Sequence, residues 1–243
     1  MLSEQNSLPT FIGSREQTTG AYAPEARKEC QMHRNILAIC AALVAFAVAP
    51  AMASASPVLQ ESGVNVATGT KIVATNEGNT IFSTNLGNVT CTGSTLTGTL
   101  TTNSGKLIEG DLESASYTGS GAGGDCTTAF AGDVKVTVTS LPWCIKTTST
   151  TADTWEIRGG NCNEAARSLT FVLDFTSSGA ECKYQRSAVT GTYTTGGAQA
   201  VLTTGASQTF SGETGNSFIC PSSGNVEMSY KLETENGTAL QIN

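Results

Sequence analysis

Three carboxylates at every second position, Glu109, Asp111 and Glu113, are the residues of this chain best suited to chemistry. Alternate residues of a strand share one face, so all three would project from the same side. Such a ladder offers several hard oxygen ligands to a calcium ion. It also offers the acid and base of a glycosidase, which stand roughly 5 to 10 Å apart. The plainer reading is a solvated outer face whose charge discourages strand addition at an edge. Trp155 is the second candidate, since an exposed indole stacks on the apolar face of a sugar. Trp143, directly before Cys144 in the stretch LPWC, is expected in the core against a disulfide.

Other chemistries lack their parts. His33 is the only histidine, and nucleophile triads built on serine or cysteine need an imidazole. Gly119–Asp125, GSGAGGD, is rich in glycine but leads to Cys126 and not to a helix, so it reads as a loop and not as a phosphate cradle. No C-x-x-C pair occurs, which argues against a zinc site and against thiol redox chemistry. The sequence therefore assigns no catalytic residue, no cofactor and no metal.

Ahead of the chemistry stands a targeting segment. The apolar run Ile36–Ala49 is 14 residues long, short of the ~20 that a membrane-spanning helix needs. Met32-His33-Arg34 precedes it and Ala51-Met52-Ala53 follows, the charged start and small-residue end of a secretory signal peptide. The expected organisation is a non-native or disordered extension over 1–31, a signal peptide over 32–53, and a single all-β domain over 54–243. The competing readings of 1–31 are a disordered cytoplasmic tail ahead of a signal anchor, or a long n-region. The leading segment carries four basic residues (Arg15, Arg27, Lys28, Arg34) and four acidic ones (Glu4, Glu16, Glu25, Glu29), so the remainder holds the whole net charge of −7. An acidic surface repels phosphate backbones, which excludes nucleic acid as a natural partner.

Six cysteines remain beyond the cleavage site: Cys91, Cys126, Cys144, Cys162, Cys182 and Cys220. An even number in an exported chain argues for disulfides, and six allow about 15 pairings. A repeat narrows them. Leu96–Thr102 reads LTGTLTT and Val189–Thr195 reads VTGTYTT, each a short distance after a cysteine. A second cysteine and then an alternating strand follow in both places. If 88–140 and 180–233 are related halves, equivalent cysteines pair equivalently, as Cys91–Cys126 and Cys182–Cys220, leaving Cys144 for Cys162.

Period-2 alternation dominates the same region. Val134, Val136 and Val138 share a face; so do Leu169, Phe171, Leu173 and Phe175, and again Val226, Met228, Tyr230 and Leu232. One apolar and one polar face is the mark of antiparallel sheets. In the TGT segments Leu96, Gly98 and Leu100 point inward, as do Val189, Gly191 and Tyr193; a mid-strand glycine then marks a bulge or the close approach of a bulky neighbour. Asn236-Gly237 predicts a type I′ hairpin turn. The fold class expected is an antiparallel β-sandwich, or a partly open barrel, stapled by disulfides.

Cys91-Thr92-Gly93, the LPWC turn, Cys182-Lys183-Tyr184, Cys220-Pro221 and the closing YKLETENG together resemble small exported six-cysteine β proteins of high-GC Gram-positive bacteria. The resemblance implies location and architecture and carries over no active residue. Three function classes follow. The first is a non-catalytic secreted or envelope-associated module, binding or structural, whose partner is an extracellular ligand such as a glycan or an envelope component. The second is a carbohydrate-binding module using Trp155. The third is a hydrolase using the carboxylates. The mature chain is expected to contain no membrane span.

Overall fold

The structure, a computed structural model, describes residues 57–243 except 106, 150, 151, 207 and 215. The expected extension over 1–31 and the signal segment over 32–53, with His33, lie outside the described residues. Strands dominate because the sequence alternates Val, Leu, Phe or Tyr with Thr, Lys or Glu, a pattern that can bury one face of a pleated sheet and wet the other.

Two short strands, β1 (Leu59–Glu61) and β2 (Val64–Asn65), begin the domain. The chain then passes back and forth eight times, and each pass is broken once near its middle. Outward, β3 (Lys71–Asn76) continues as β4 (Thr80–Thr84); β5 (Gly87–Cys91) and β6 (Gly93–Ser104) return. The second excursion uses β7 (Leu107–Thr118) with β8 (Cys126–Thr128), then β9 (Gly132–Thr139) with β10 (Trp143–Thr147). The third uses β11 (Thr154–Gly159) with β12 (Leu169–Phe175), then β13 (Ala180–Arg186) with β14 (Ala188–Tyr193). The last uses β15 (Val201–Thr204) with β16 (Thr209–Gly212), then β17 (Ser223–Glu227) with β18 (Ser229–Thr234). β19 (Leu240–Ile242) ends the chain beside β1.

Each pass gives one strand to each of two closed antiparallel barrels. Strands β3, β6, β7, β10, β11, β14, β15 and β18 make the proximal barrel; β4, β5, β8, β9, β12, β13, β16 and β17 make the distal one. Both follow the same cyclic order. The expected all-β, disulfide-stapled architecture is present, with its sheets closed on themselves and not stacked as an open sandwich. Closure removes the strand edges that an open sheet would expose. The small β19-β1-β2 sheet stands at the proximal end, where Leu59, Leu240 and Ile242 are buried.

The alternation runs through some joints and shifts phase at others, as between Cys91 and Ser94. Val226, Met228, Tyr230 and Leu232 all point into the core although they span β17, the break and β18. Outward positions are mostly polar: Glu181, Lys183 and Gln185 on β13, and Thr170 and Asp174 either side of Val172 on β12. No described helix is long and apolar enough to cross a membrane.

Where the barrels meet, Phe171 gathers an aromatic cluster. Its ring lies 5.3 Å from Phe82, 6.2 Å from Tyr117, 5.5 Å from Trp143 and 4.8 Å from Phe210, mostly edge to face. Such contacts add to area burial. The repeat noted in the sequence has a spatial counterpart. The two TGT segments are β6 and β14, four places apart in a cycle of eight, so they lie on opposite sides of the proximal barrel. In the distal barrel β5, bearing Cys91, and β13, bearing Cys182, keep the same half-cycle offset, as do β9 and β17. Cys126 sits on β8, whereas Cys220 lies in the loop between β16 and β17.

Disulfides join Cys91 to Cys126, Cys144 to Cys162 and Cys182 to Cys220. One local expectation needs revision. At Asn236-Gly237 only the glycine has positive φ, +79°, whereas a type I′ turn needs it at both central residues. The Thr234 and Thr238 backbones bond across, so the turn is a three-residue loop with a left-handed glycine. Gly119–Asp125 is a pinned loop: Ala122–Gly124 form a short 3-10 turn, and the Ala122 N–H donates to Asp133 Oδ2 at 3.1 Å.

Candidate functional site

The carboxylate ladder is present and occupied. Glu109, Asp111 and Glu113 do share the outer face of β7, but each is engaged by a neighbour. Glu113 pairs with the Lys71 ammonium and accepts from the Thr99 hydroxyl at 2.6 Å. The Lys71 bond, then the Thr99 bond, hold its pKa below the usual value. Asp111 Oδ1 accepts the backbone N–H of Cys162 at 2.7 Å, tying the segment after β11 to β7 beside the Cys144–Cys162 disulfide. Glu109 accepts from the Thr102 hydroxyl at 3.1 Å. Among the described residues no group of three ligating side chains could hold a metal ion.

Trp155 is not on the surface. It is 2 % exposed inside the proximal barrel, its Nε1–H donates to the Thr192 carbonyl at 2.8 Å, and its ring lies over Gly191. Trp143, Tyr117, Tyr184 and Tyr193 are buried as well, which leaves neither tryptophan nor any described tyrosine as a flat sugar platform. The packing around Trp155 leaves a residual apolar cavity of about 80 Å³ between Leu96, Ile145 and Tyr230. This is well below the roughly 300–1,000 Å³ of ordinary ligand pockets.

A buried hydroxyl cluster lies near the joint of the barrels. Tyr230 and Ser94 share a hydrogen bond of 2.6 Å. Burial raises the Tyr230 pKa, against the opposing influence of Ser94, Thr80 and Tyr117. Of these three neighbours only Ser94 bonds Tyr230 with ordinary geometry, since the Thr80 and Tyr117 hydroxyls have no partner of their own. Burial first, then Tyr230, pushes Tyr117 well above the usual value, and burial pushes Tyr184 up to about 12. Protonated phenols in an apolar interior serve structure and not proton transfer near neutrality.

The surface that stands out is the mouth of the distal barrel, a site the sequence reading missed. Four turns meet there: β4–β5, β8–β9, β12–β13 and the longer β16–β17 loop. Of the large apolar side chains exposed among the described residues, four sit at this pole: Phe218 at 99 % exposure, Phe130 at 85 %, Leu86 at 52 % and Ile219 at 40 %. Val64, the fifth, is on β2. Between the turns lies an open bowl of about 810 Å³, with Val89 and Phe175 in its floor and Thr84, Thr128, Ser177 and Ser178 around it.

Local chemistry holds these tips in place. The Thr84 hydroxyl donates to the Gly87 carbonyl at 2.9 Å and accepts the Leu86 N–H at 3.1 Å. Thr128 Oγ1 accepts the N–H groups of Phe130 and Ala131 at 3.3 and 2.7 Å. Gly87 adopts φ of +110°, a conformation that favours glycine, and lies against the Phe130 ring. The β16–β17 loop is anchored by Cys182–Cys220 and by Asn216, whose side chain bonds the Lys183 backbone N–H and carbonyl at 2.9 and 2.8 Å. Residues 84–87, 128–132, 176–179 and 214–222 contain no Asp, Glu, Lys or Arg, although the chain carries a net charge of −7; Glu213, which opens the β16–β17 loop, is the nearest acidic residue on that loop.

No protein-family model matches this chain, and comparison with curated proteins and with solved structures finds no match either.

Proposed function

We propose that this protein is a non-catalytic module, working outside the cytosol, that binds an uncharged apolar ligand at the distal mouth. The observation that carries the reading is the concentration of Leu86, Phe130 and Ile219 around one bowl of ligand size, with the exposed Phe218 next to Ile219 in the same loop. Exposed apolar clusters on an otherwise polar protein mark binding surfaces, and the mouths of β-barrels are common ligand sites. Three disulfides support an oxidising compartment. The engaged carboxylates give a hydrolase no poised pair, and the buried indoles give a glycan no flat platform.

The test is titration with N-phenyl-1-naphthylamine, an uncharged fluorophore that brightens in apolar sites. Binding should saturate at one site and weaken at least ten-fold in a Phe130→Ser, Ile219→Ser double variant. Equal binding by that variant would move the site elsewhere.

A further inference from the structure

We infer that the distal pole docks end-on into a lipid surface with uncharged or zwitterionic headgroups, inserting Leu86, Phe130, Phe218 and Ile219. The inference rests on the binding reading above and names the partner.

Three observations favour lipid over a folded partner. The tips project from three separate turns, and Phe218 and Phe130 stand almost wholly clear of the body. A protein partner must supply a matched pocket for each prong, whereas a fluid interface accepts any spacing. Backbone groups entering an apolar phase must be satisfied internally. The turns meet part of that demand themselves: Thr84 bonds the Leu86 N–H and the Gly87 carbonyl, and Thr128 bonds the N–H groups of Phe130 and Ala131.

Charge selects the headgroup. The turn tips carry no cation with which to hold an anionic lipid, Lys183 beneath the β16–β17 loop is paired with Glu181, and the body is acidic. Anionic membranes therefore repel the protein as it approaches, while zwitterionic ones do not. Polar residues on the barrel walls stop entry at the tips, so the protein docks without spanning.

The experiment uses residues 52–243, the compact unit with its own core and all three disulfides, which omits the apolar run 36–49. Both native tryptophans are buried, so a Phe218→Trp variant carries its own surface reporter. Titrated with phosphatidylcholine vesicles, its emission should shift to the blue and be quenched by lipids with brominated chains. Adding Phe130→Ser should weaken partition at least ten-fold, and phosphatidylglycerol vesicles should bind at least ten-fold more weakly than phosphatidylcholine. An unchanged spectrum with every vesicle, while N-phenyl-1-naphthylamine still binds, overturns the lipid inference and leaves the ligand reading standing. Loss of the fluorophore signal as well overturns both. A concentration-dependent dimer in light scattering that buries the new indole without lipid assigns the pole to a second copy and overturns the inference.

Discussion

The indole of Trp155 occupies the space that a side chain at Gly191 would need. A Cβ on residue 191 would lie 2.6 Å from the ring and 2.0 Å from the Thr203 carbonyl. The tryptophan sits directly opposite on the neighbouring strand, and glycine is what lets its ring lie flat against the barrel wall. Gly98, in the other TGT segment, meets backbone instead: a Cβ there would be 2.4 Å from the Asp111 carbonyl, beside the register shift at Thr97.

Replacing either glycine should therefore destabilise the fold. Gly191→Ala and Gly98→Val are each expected to cost about 1 to 3 kcal/mol through overpacking. In a domain of this size that is a fall of roughly 2 to 4 °C in melting temperature for each kcal/mol. Thermal unfolding followed by circular dichroism measures it, and unchanged midpoints would refute the close approach.

The Cys182–Cys220 link separates stability from binding. Its loop of 38 residues is worth about 4 kcal/mol by chain entropy. A Cys182→Ala, Cys220→Ala variant should lower the urea midpoint yet keep its β signal. It should bind N-phenyl-1-naphthylamine several-fold more weakly, because the loop bearing Phe218 and Ile219 loses its anchor. Undiminished binding would show that Asn216 suffices to hold the loop.

Alkaline pH should reveal the buried phenols. Tyr117, Tyr184 and Tyr230 have raised pKa values in the folded state, chiefly from burial. A raised folded pKa contributes stability that is fully present below the unfolded value of about 10. That stability is lost as pH rises through the folded values. Absorbance of tyrosinate should lag behind that of free tyrosine and then climb together with loss of structure near or above pH 12. Smooth titration near pH 10 in the folded state would contradict the buried positions.

For the carboxylates the expectation is structural. Asp111→Ala should destabilise by roughly 1 to 3 kcal/mol, since the Cys162 N–H loses a charged acceptor. Glu113→Gln, on an exposed pair, should change stability by less than about 1 kcal/mol. Calorimetry with calcium should give no binding heat beyond dilution; a saturable signal lost in Asp111→Ala would reinstate a cation site.

Much of the fold was legible because period-2 alternation survives wherever a strand has a dry side. Val134 to Val138 and Val226 to Leu232 could be read directly, and the two TGT segments lie half a cycle apart in one barrel. Closure was not legible. Whether eight alternating strands stack or join depends on pairings such as β18 with β3 and β9 with β12, which link segments far apart in sequence. The role of Trp155 was hidden for a related reason: an indole reads alike on either face of a strand, and only its position opposite Gly191 fixes the inward one. At the distal pole the signal was present but dispersed. Leu86, Phe130 and Phe218-Ile219 lie in separate turns built mostly of small or polar residues, and only barrel geometry brings them together.

Every pass of the chain stitches one barrel to the other, so neither can be excised with its strands intact. A cut at any joint removes a stave from both cylinders at once. The molecule should consequently melt in a single cooperative step, and protease-resistant fragments corresponding to half of it should not accumulate. The crown of apolar tips thus stands on a pillar that holds as a whole or gives way as a whole.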